Sequence, residues 1–393
     1  MLGISKEPVN FSTISETPVQ HRLSRMSYRK MAAVDLVPST CKQIRLDDGR
    51  LLAYAEYGDP QGKPVIFFHG TPGSRLFHHP DESIALSLGI RIITPDRPGF
   101  GLSDSKVGRT LLDWPDDVVQ LADTLHIDRF AVAGMSGGGS YVTACALKIP
   151  HRLTRAALIS SIAPLSAPEA TRGMMWRNHL LFSLARNSPT LAALSWWLMN
   201  LAYHRNPDRF FNFEAGLTSE SEKVLLKEPD VKSLLIQDYA EAVRDGISGI
   251  ASEMVLLAHP WGFRLENIAM EIHLWHGAQD VRTPIAMGRY LANTIPICRA
   301  TFLAAEGHGV IYHHWREILS ALTSSAASED SNVESQKKPR RRLKRPAAKS
   351  QPEGTDVPTE SRPTRRQSKP TPARAPRKRK QLTTAGSKDT VAT

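Results

Sequence analysis

Cysteine is scarce in this chain. Its three residues, Cys41, Cys145 and Cys298, are far apart and show no Cys-x-x-Cys spacing, which argues against a disulfide framework or thiolate zinc site and suits a reducing compartment. Long apolar runs are also missing. The longest apolar region, Leu180 to Tyr203, is interrupted by Arg186, Asn187 and Pro189, so no integral membrane span is expected. Met1 to about Ser39 lacks the continuous apolar stretch of a secretory signal. Arg22, Arg25, Arg29 and Lys30 among serines faintly suggest a transit peptide, and Glu7 and Glu16 weigh against it. The expectation is a cytoplasmic protein that is not secreted, with residues 1–39 a disordered extension.

Aromatic residues are absent from Ser331 to Thr393, a stretch with eight prolines and 18 Lys/Arg against 5 Asp/Glu. Its net charge of +13 leaves −2 for the rest of a chain whose total is +11. Such a composition buries too little apolar surface to offset the entropy of ordering, and residues 326–393 are expected to be a disordered basic tail. The clusters Lys337-Lys338-Pro339-Arg340-Arg341-Arg342-Leu343-Lys344-Arg345 and Arg377-Lys378-Arg379-Lys380 read as nuclear-import or polyanion-binding patches, and a solvated spacer without a partner fits equally. With no ring to stack on bases, nucleic-acid contact there would be salt-sensitive and non-specific.

The richest segment is Phe130-Ala131-Val132-Ala133-Gly134-Met135-Ser136-Gly137-Gly138-Gly139. Strand-compatible residues run into Gly-x-Ser-x-Gly, and a helical stretch follows to Lys148, before Pro150. A serine at so sharp a strand-to-helix turn needs neighbours without a Cβ, here Gly134 and Gly138, and the helix points its positive end at it. Upstream, Pro64–Phe68 reads as a buried strand entering the turn His69-Gly70-Thr71-Pro72-Gly73, whose amides can face the serine. Downstream, the strand Ile272–Gly277 precedes Asp280, and Ala300–Leu303 precedes Glu306-Gly307-His308-Gly309. Asp280 competes with a reading as a helix cap before Pro284, and His308 competes with His276, His313 and His314. Position just past a strand end favours Asp280 and His308.

Ser136, then Asp280, then His308, each after a strand, resembles the α/β-hydrolase fold superfamily, in its capped, serine-nucleophile branch. The likeness covers roughly residues 44–322 and includes the loop Asp96-Arg97-Pro98-Gly99-Phe100-Gly101-Leu102-Ser103. It implies Ser136 as nucleophile, His308 as general base, Asp280 as the acid orienting it, and an oxyanion hole from the backbone amides of Thr71 and Gly137. His69 and Gly70 then shape the oxyanion turn, and the Arg97 loop is structural. Ser rather than Asp at the nucleophile position separates the chain from the epoxide-hydrolase and dehalogenase branches.

The fold class expected is α/β: a mostly parallel central sheet flanked by helices, in one catalytic domain over 40–325. It starts with an antiparallel pair, Gln43–Leu46 with Leu51–Ala55. Helices are expected near 83–88, 111–125, 139–148, 285–294 and 310–324. Leu180, Leu181 and Leu184, then Leu191, Leu194, Leu198 and Leu201, recur at helical spacing and predict a helical cap over 163–261. Met135, Trp176, Trp196 and Trp197 are candidate pocket residues. The cap shows no cationic cluster to anchor a carboxylate or phosphate. The expected activity is serine hydrolysis of a carboxylic ester or thioester of a small hydrophobic acyl substrate, without metal or organic cofactor. Amidase, perhydrolase, acyltransferase or cyclisation-type, and carbon–carbon bond hydrolase chemistry stay open, as does a non-catalytic ligand-binding protein.

Overall fold

The computed structural model describes residues 41–324. The expected extension over 1–39 and tail over 326–393 lie outside the described residues. Eight strands, β1 (Cys41–Arg45), β2 (Leu51–Gly58), β3 (Lys63–Phe68), β4 (Ile90–Pro95), β5 (Phe130–Met135), β6 (Leu153–Ile159), β7 (Ile272–Gly277) and β8 (Cys298–Leu303), form one sheet. Their order is β1-β2-β4-β3-β5-β6-β7-β8. The pairs β1–β2 and β2–β4 are antiparallel, and every pair from β4 to β8 is parallel.

Strands covered on both faces lose the polar-apolar alternation, which is why Phe130–Met135 and Ile272–Gly277 are buried at every position. One face of the sheet is covered by α2 (Trp114–Thr124), α3 (Gly138–Lys148) and α10 (Ile285–Thr294), packing Trp114, Val118, Tyr141, Val142 and Leu291. On the other, α1 (Ser83–Ser87) and α11 (Val310–Thr323) contribute Ala85, Val310, Trp315 and Ile318. Boundaries move by a few residues from expectation: a 3₁₀ turn, Leu111–Asp113, precedes α2, closed by a capping box between Thr110 and Asp113.

Six helices stand between β6 and β7: α4 (Trp176–Asn187), α5 (Pro189–Arg205), α6 (Pro207–Gly216), α7 (Glu220–Leu225), α8 (Pro229–Ala242) and α9 (Ser248–Ala258). Proline opens α5, α6 and α8, where its missing N–H would have had no partner anyway. Asn206 and Ser219 cap α6 and α7 by accepting the amides of Arg209 and Glu222. These helices share a core that includes Leu181, Trp196, Tyr203, Tyr239 and Met254, joined by Phe100 from the sheet domain.

The leucines whose spacing predicted these helices are mostly not in this core. Leu180, Leu191, Leu194 and Leu198 are exposed, whereas Ala192, Ala193, Trp196 and Tyr203 are buried. Helix α5 is apolar nearly all round, so periodicity could not choose its buried face. The inner face pairs small alanines with the two large rings. Among the described residues no helix is long and apolar enough to cross a membrane.

Candidate active site

Ser136 lies between the end of β5 and the start of α3, with φ at 56°. That left-handed conformation is unusual for a side-chain-bearing residue and turns the chain abruptly between strand and helix. The turn is possible because its two glycines lack a Cβ where the backbones crowd: a Cβ on Gly134 would lie 2.5 Å from the Gly138 oxygen, and one on Gly138 only 2.2 Å from the Phe68 oxygen.

The turn after β3 comes against this elbow. A Cβ built on Gly70 would sit 3.6 Å from the Ser136 Cβ, and one on Gly137 would collide with the Thr71 hydroxyl. Among the described residues neither the Thr71 nor the Gly137 amide donates to a protein group. Both residues line, with Ser136 and His308, a cavity of about 200 Å³. Two unengaged amides beside a serine suit a developing oxyanion.

Asp280 follows β7 and is buried. Its Oδ1 accepts the amides of Arg282 and Thr283 at 2.8 and 2.9 Å, and its Oδ2 accepts His308 Nδ1–H at 2.7 Å. The Thr283 hydroxyl lies 2.8 Å from the same Oδ2 and 2.9 Å from the Ser160 carbonyl. Burial pushes the Asp280 carboxyl up, but the charge and hydrogen bond of His308, with His276 and the Thr283 amide, outweigh it and keep the group below its ordinary pKa. With Nδ1 held by the acid, Nε2 is the His308 nitrogen left to exchange a proton. No hydrogen bond joins Ser136 to His308 among the described residues, and such contacts commonly close only when substrate binds.

The competing histidines are placed elsewhere. His276 is buried with Nε2–H donating to the Thr283 carbonyl at 2.7 Å, and burial holds its ring below ordinary basicity. His313 and His314 lie on α11 beside Glu306. His69 is buried and kept neutral, first by burial and then by the Arg97 charge.

The candidate pocket residues divide. Met135 and Trp196 line the cavity. Trp176, 65% exposed, does not, because it opens α4 on the solvent side; Trp197 is also absent from the lining. The sequence reading missed Arg177, one residue past Trp176, which turns inward and pairs with Glu214. Arg282 pairs with Glu222 at 2.7 Å and approaches Glu214 at 3.9 Å. The cavity therefore holds two cations, Arg177 from the insertion and Arg282 from the loop after β7, each against a carboxylate, whereas the sequence showed no cationic cluster in the cap. Arg177 and Glu214 stand beside aromatic residues in the sequence, and Arg282 and Glu222 lie in polar segments that give no signal. Among the described residues no group of three or more His, Cys, Asp or Glu is placed to hold a metal ion.

Residues 63–312 match the sequence profile of the alpha/beta hydrolase fold, and the chain belongs to that family. A non-heme chloroperoxidase from Streptomyces lividans is 32% identical over 130 residues, 33% of this chain and 47% of its own length. A proline iminopeptidase from Xylella fastidiosa is 34% identical over 122 residues, 29% of this chain and 37% of its own. The chain thus spans about half or less of these curated relatives. The crystal structure of a bromoperoxidase from Bacillus anthracis superposes with a TM-score of 0.55 at 21% identity, over 72% of this chain and 98% of that one. That likeness speaks for the fold.

Proposed function

We propose that the protein is a serine hydrolase acting on a carboxylic ester or thioester of a small, mainly hydrophobic molecule, through an acyl-enzyme on Ser136. The observation that carries the reading is the convergence on one cavity of a serine in a strained elbow, a histidine bonded to a buried carboxylate, and two unengaged amides. His308 Nε2 takes the Ser136 proton as the oxygen attacks the substrate carbonyl. The Thr71 and Gly137 amides hold the oxyanion, and His308 then gives the proton to the leaving alcohol or thiol. Water, deprotonated by the same nitrogen, releases the acid and restores the serine. Asp280 keeps the Nδ1–H tautomer throughout. The six helices between β6 and β7 act as a cap that roofs the cavity with Leu181, Phe182, Trp196 and Met199. The paired Arg177, Arg282, Glu214 and Glu222 give that roof a polar end, so the best substrate carries a polar group away from its scissile bond.

The chloroperoxidase name of one relative favours a second reading, in which hydrogen peroxide replaces water and the acyl group leaves as a peracid. Replacing Ser136 by Ala tests both. The variant should fold, lose labelling by a fluorophosphonate probe, and lose turnover of a graded ester panel by several orders of magnitude. Near-normal hydrolysis in the folded variant overturns the mechanism. Peroxide-dependent product from the parent protein separates the two readings.

A further inference from the structure

The most heavily bonded carboxylate outside the triad belongs to Glu253, on α9. It is fully buried and takes Arg97 Nε and Nη2 at 2.8 and 2.6 Å, Arg109 at 3.0 Å, the Tyr141 hydroxyl at 2.7 Å and the Thr71 hydroxyl at 2.5 Å. Burial pushes its carboxyl up, but the Arg97 and Arg109 guanidinium groups dominate and hold it well below the carboxylate range.

Arg97 is fully buried too, and its remaining donors go to the turn after β3: to the His69 carbonyl at 2.5 Å, the Gly70 carbonyl at 2.9 Å and the Thr71 hydroxyl oxygen at 3.3 Å. The Gly70 carbonyl also receives His69 Nδ1–H at 2.9 Å, while His69 Nε2 accepts the Arg97 amide at 3.3 Å. That oxygen is thus engaged twice, by two residues that do not line the cavity. In a trans peptide the carbonyl and the following N–H point in opposite directions. Anchoring the Gly70 oxygen on Arg97 therefore aims the Thr71 N–H at the cavity, and the bond from the Thr71 hydroxyl to Glu253 fixes the same residue from its side chain.

We propose that Glu253 and Arg97 are positioning residues for the oxyanion hole, so that the last helix of the insertion sets the direction of a catalytic amide. The proposal rests on the serine-hydrolase reading above. It goes beyond a buried ion pair joining α9 to the sheet, because a purely structural pair would leave transition-state binding untouched in the molecules that fold.

Glu253→Gln tests it: shape is kept, but a donor is placed among donors. Turnover is expressed per fluorophosphonate-reactive serine, so that unfolded protein does not count. The expected result is a 10- to 100-fold fall in kcat with KM within threefold, since oxyanion stabilisation acts in the transition state alone. Affinity for an alkylboronic acid, which presents a tetrahedral anion, should fall in parallel. Asp117→Asn, which removes the charge from the part-buried pair with Arg50, neither residue lining the cavity, should lower the melting temperature while leaving kcat per reactive serine unchanged. Should Glu253→Gln fail to fold, Thr71→Val should lower kcat about tenfold and Thr71→Ser, which keeps the hydroxyl bond, should restore it. An unchanged kcat and boronate affinity in Glu253→Gln, or equal kcat in the two Thr71 variants, overturns the proposal while hydrolysis by the parent stands. A parent inert to esters and to the probe overturns the hydrolase reading and the proposal together.

Discussion

Replacing Asp280 by Asn changes one atom and should disable the site without unfolding it. The two backbone amides on Oδ1, from Arg282 and Thr283, oblige the new side chain to keep its oxygen there. The NH₂ group must then occupy the Oδ2 position, facing His308 Nδ1 at 2.7 Å and the Thr283 hydroxyl at 2.8 Å. The threonine adapts by accepting from the amide while donating to the Ser160 carbonyl 2.9 Å away. His308 can adapt only by moving its proton to Nε2, leaving Nδ1 as the acceptor. That tautomer turns an N–H toward the serine and cannot take a proton from it. Loss of the correct tautomer at such an acid costs about 10⁴ in kcat, or about 5.5 kcal/mol of transition-state stabilisation. The measurement is kcat on a short-chain nitrophenyl ester beside the melting temperature and the rate of fluorophosphonate labelling. Melting should stay within a few degrees, and labelling should slow with kcat. A kcat within about tenfold of the parent would refute the tautomer argument and with it the role given to Asp280.

Two other outcomes follow from the geometry. Burial raises the Asp238 carboxyl to about 7 against the pull of the Ser74 amide and hydroxyl, with Asp96 adding to the rise and Arg97 opposing it. The folded protein therefore keeps this proton to higher pH than the unfolded chain does. Its stability should fall as pH rises from about 4 to about 7 and level off above, and Asp238→Asn should gain stability relative to the parent at pH 8 but not at pH 4. An equal difference in urea midpoint at the two pH values contradicts this. Trp176→Ala at the exposed start of α4 should change stability by no more than about 0.5 kcal/mol and leave ester preference alone. Trp196→Ala, removing a buried ring from the cavity roof, should cost about 3–5 kcal/mol and shift preference toward bulkier acyl groups. Indistinguishable melting curves for the two would show the roof to be misplaced.

The parts of this molecule that could be read from its sequence are those whose reason is local. Gly134, Ser136 and Gly138 announce the elbow because a tight turn is a property of a few consecutive residues. Asp280 and His308 stand out because each comes just past a strand, β7 buried throughout and β8 the half-exposed last strand of the sheet. The pairing of Glu253 with Arg97 had no such mark: the two residues are 156 positions apart, and an isolated Glu on a helix reads as a solvated face. Trp176 and Arg177 reverse intuition, since the ring faces water and the charge faces the cavity. Only the packing of α4 against its neighbours decides which way that helix turns. The exposed leucines of α5 carry the same lesson, because an apolar residue on a helix that is apolar all round says little about which side is inside.

Sheet order also says when the site can exist during folding. Ser136 follows β5, which pairs with β6 soon after it in the chain and with β3 once residues 69–129 have folded back, so the elbow needs nothing beyond β6. Asp280 and His308 ride on β7 and β8, and β7 can pair with β6 only after residues 160–271 have closed on themselves. Closing a loop of roughly 110 residues costs about 4 kcal/mol if it is floppy, and less once the insertion has condensed around Trp196, Tyr203 and Tyr239. Under the proposed mechanism, a refolding chain that follows this order holds the serine turn before the histidine proposed to activate it is in place. Recovery of catalysis will lag behind recovery of sheet signal, and that delay measures how fast six helices collapse rather than how fast a triad assembles.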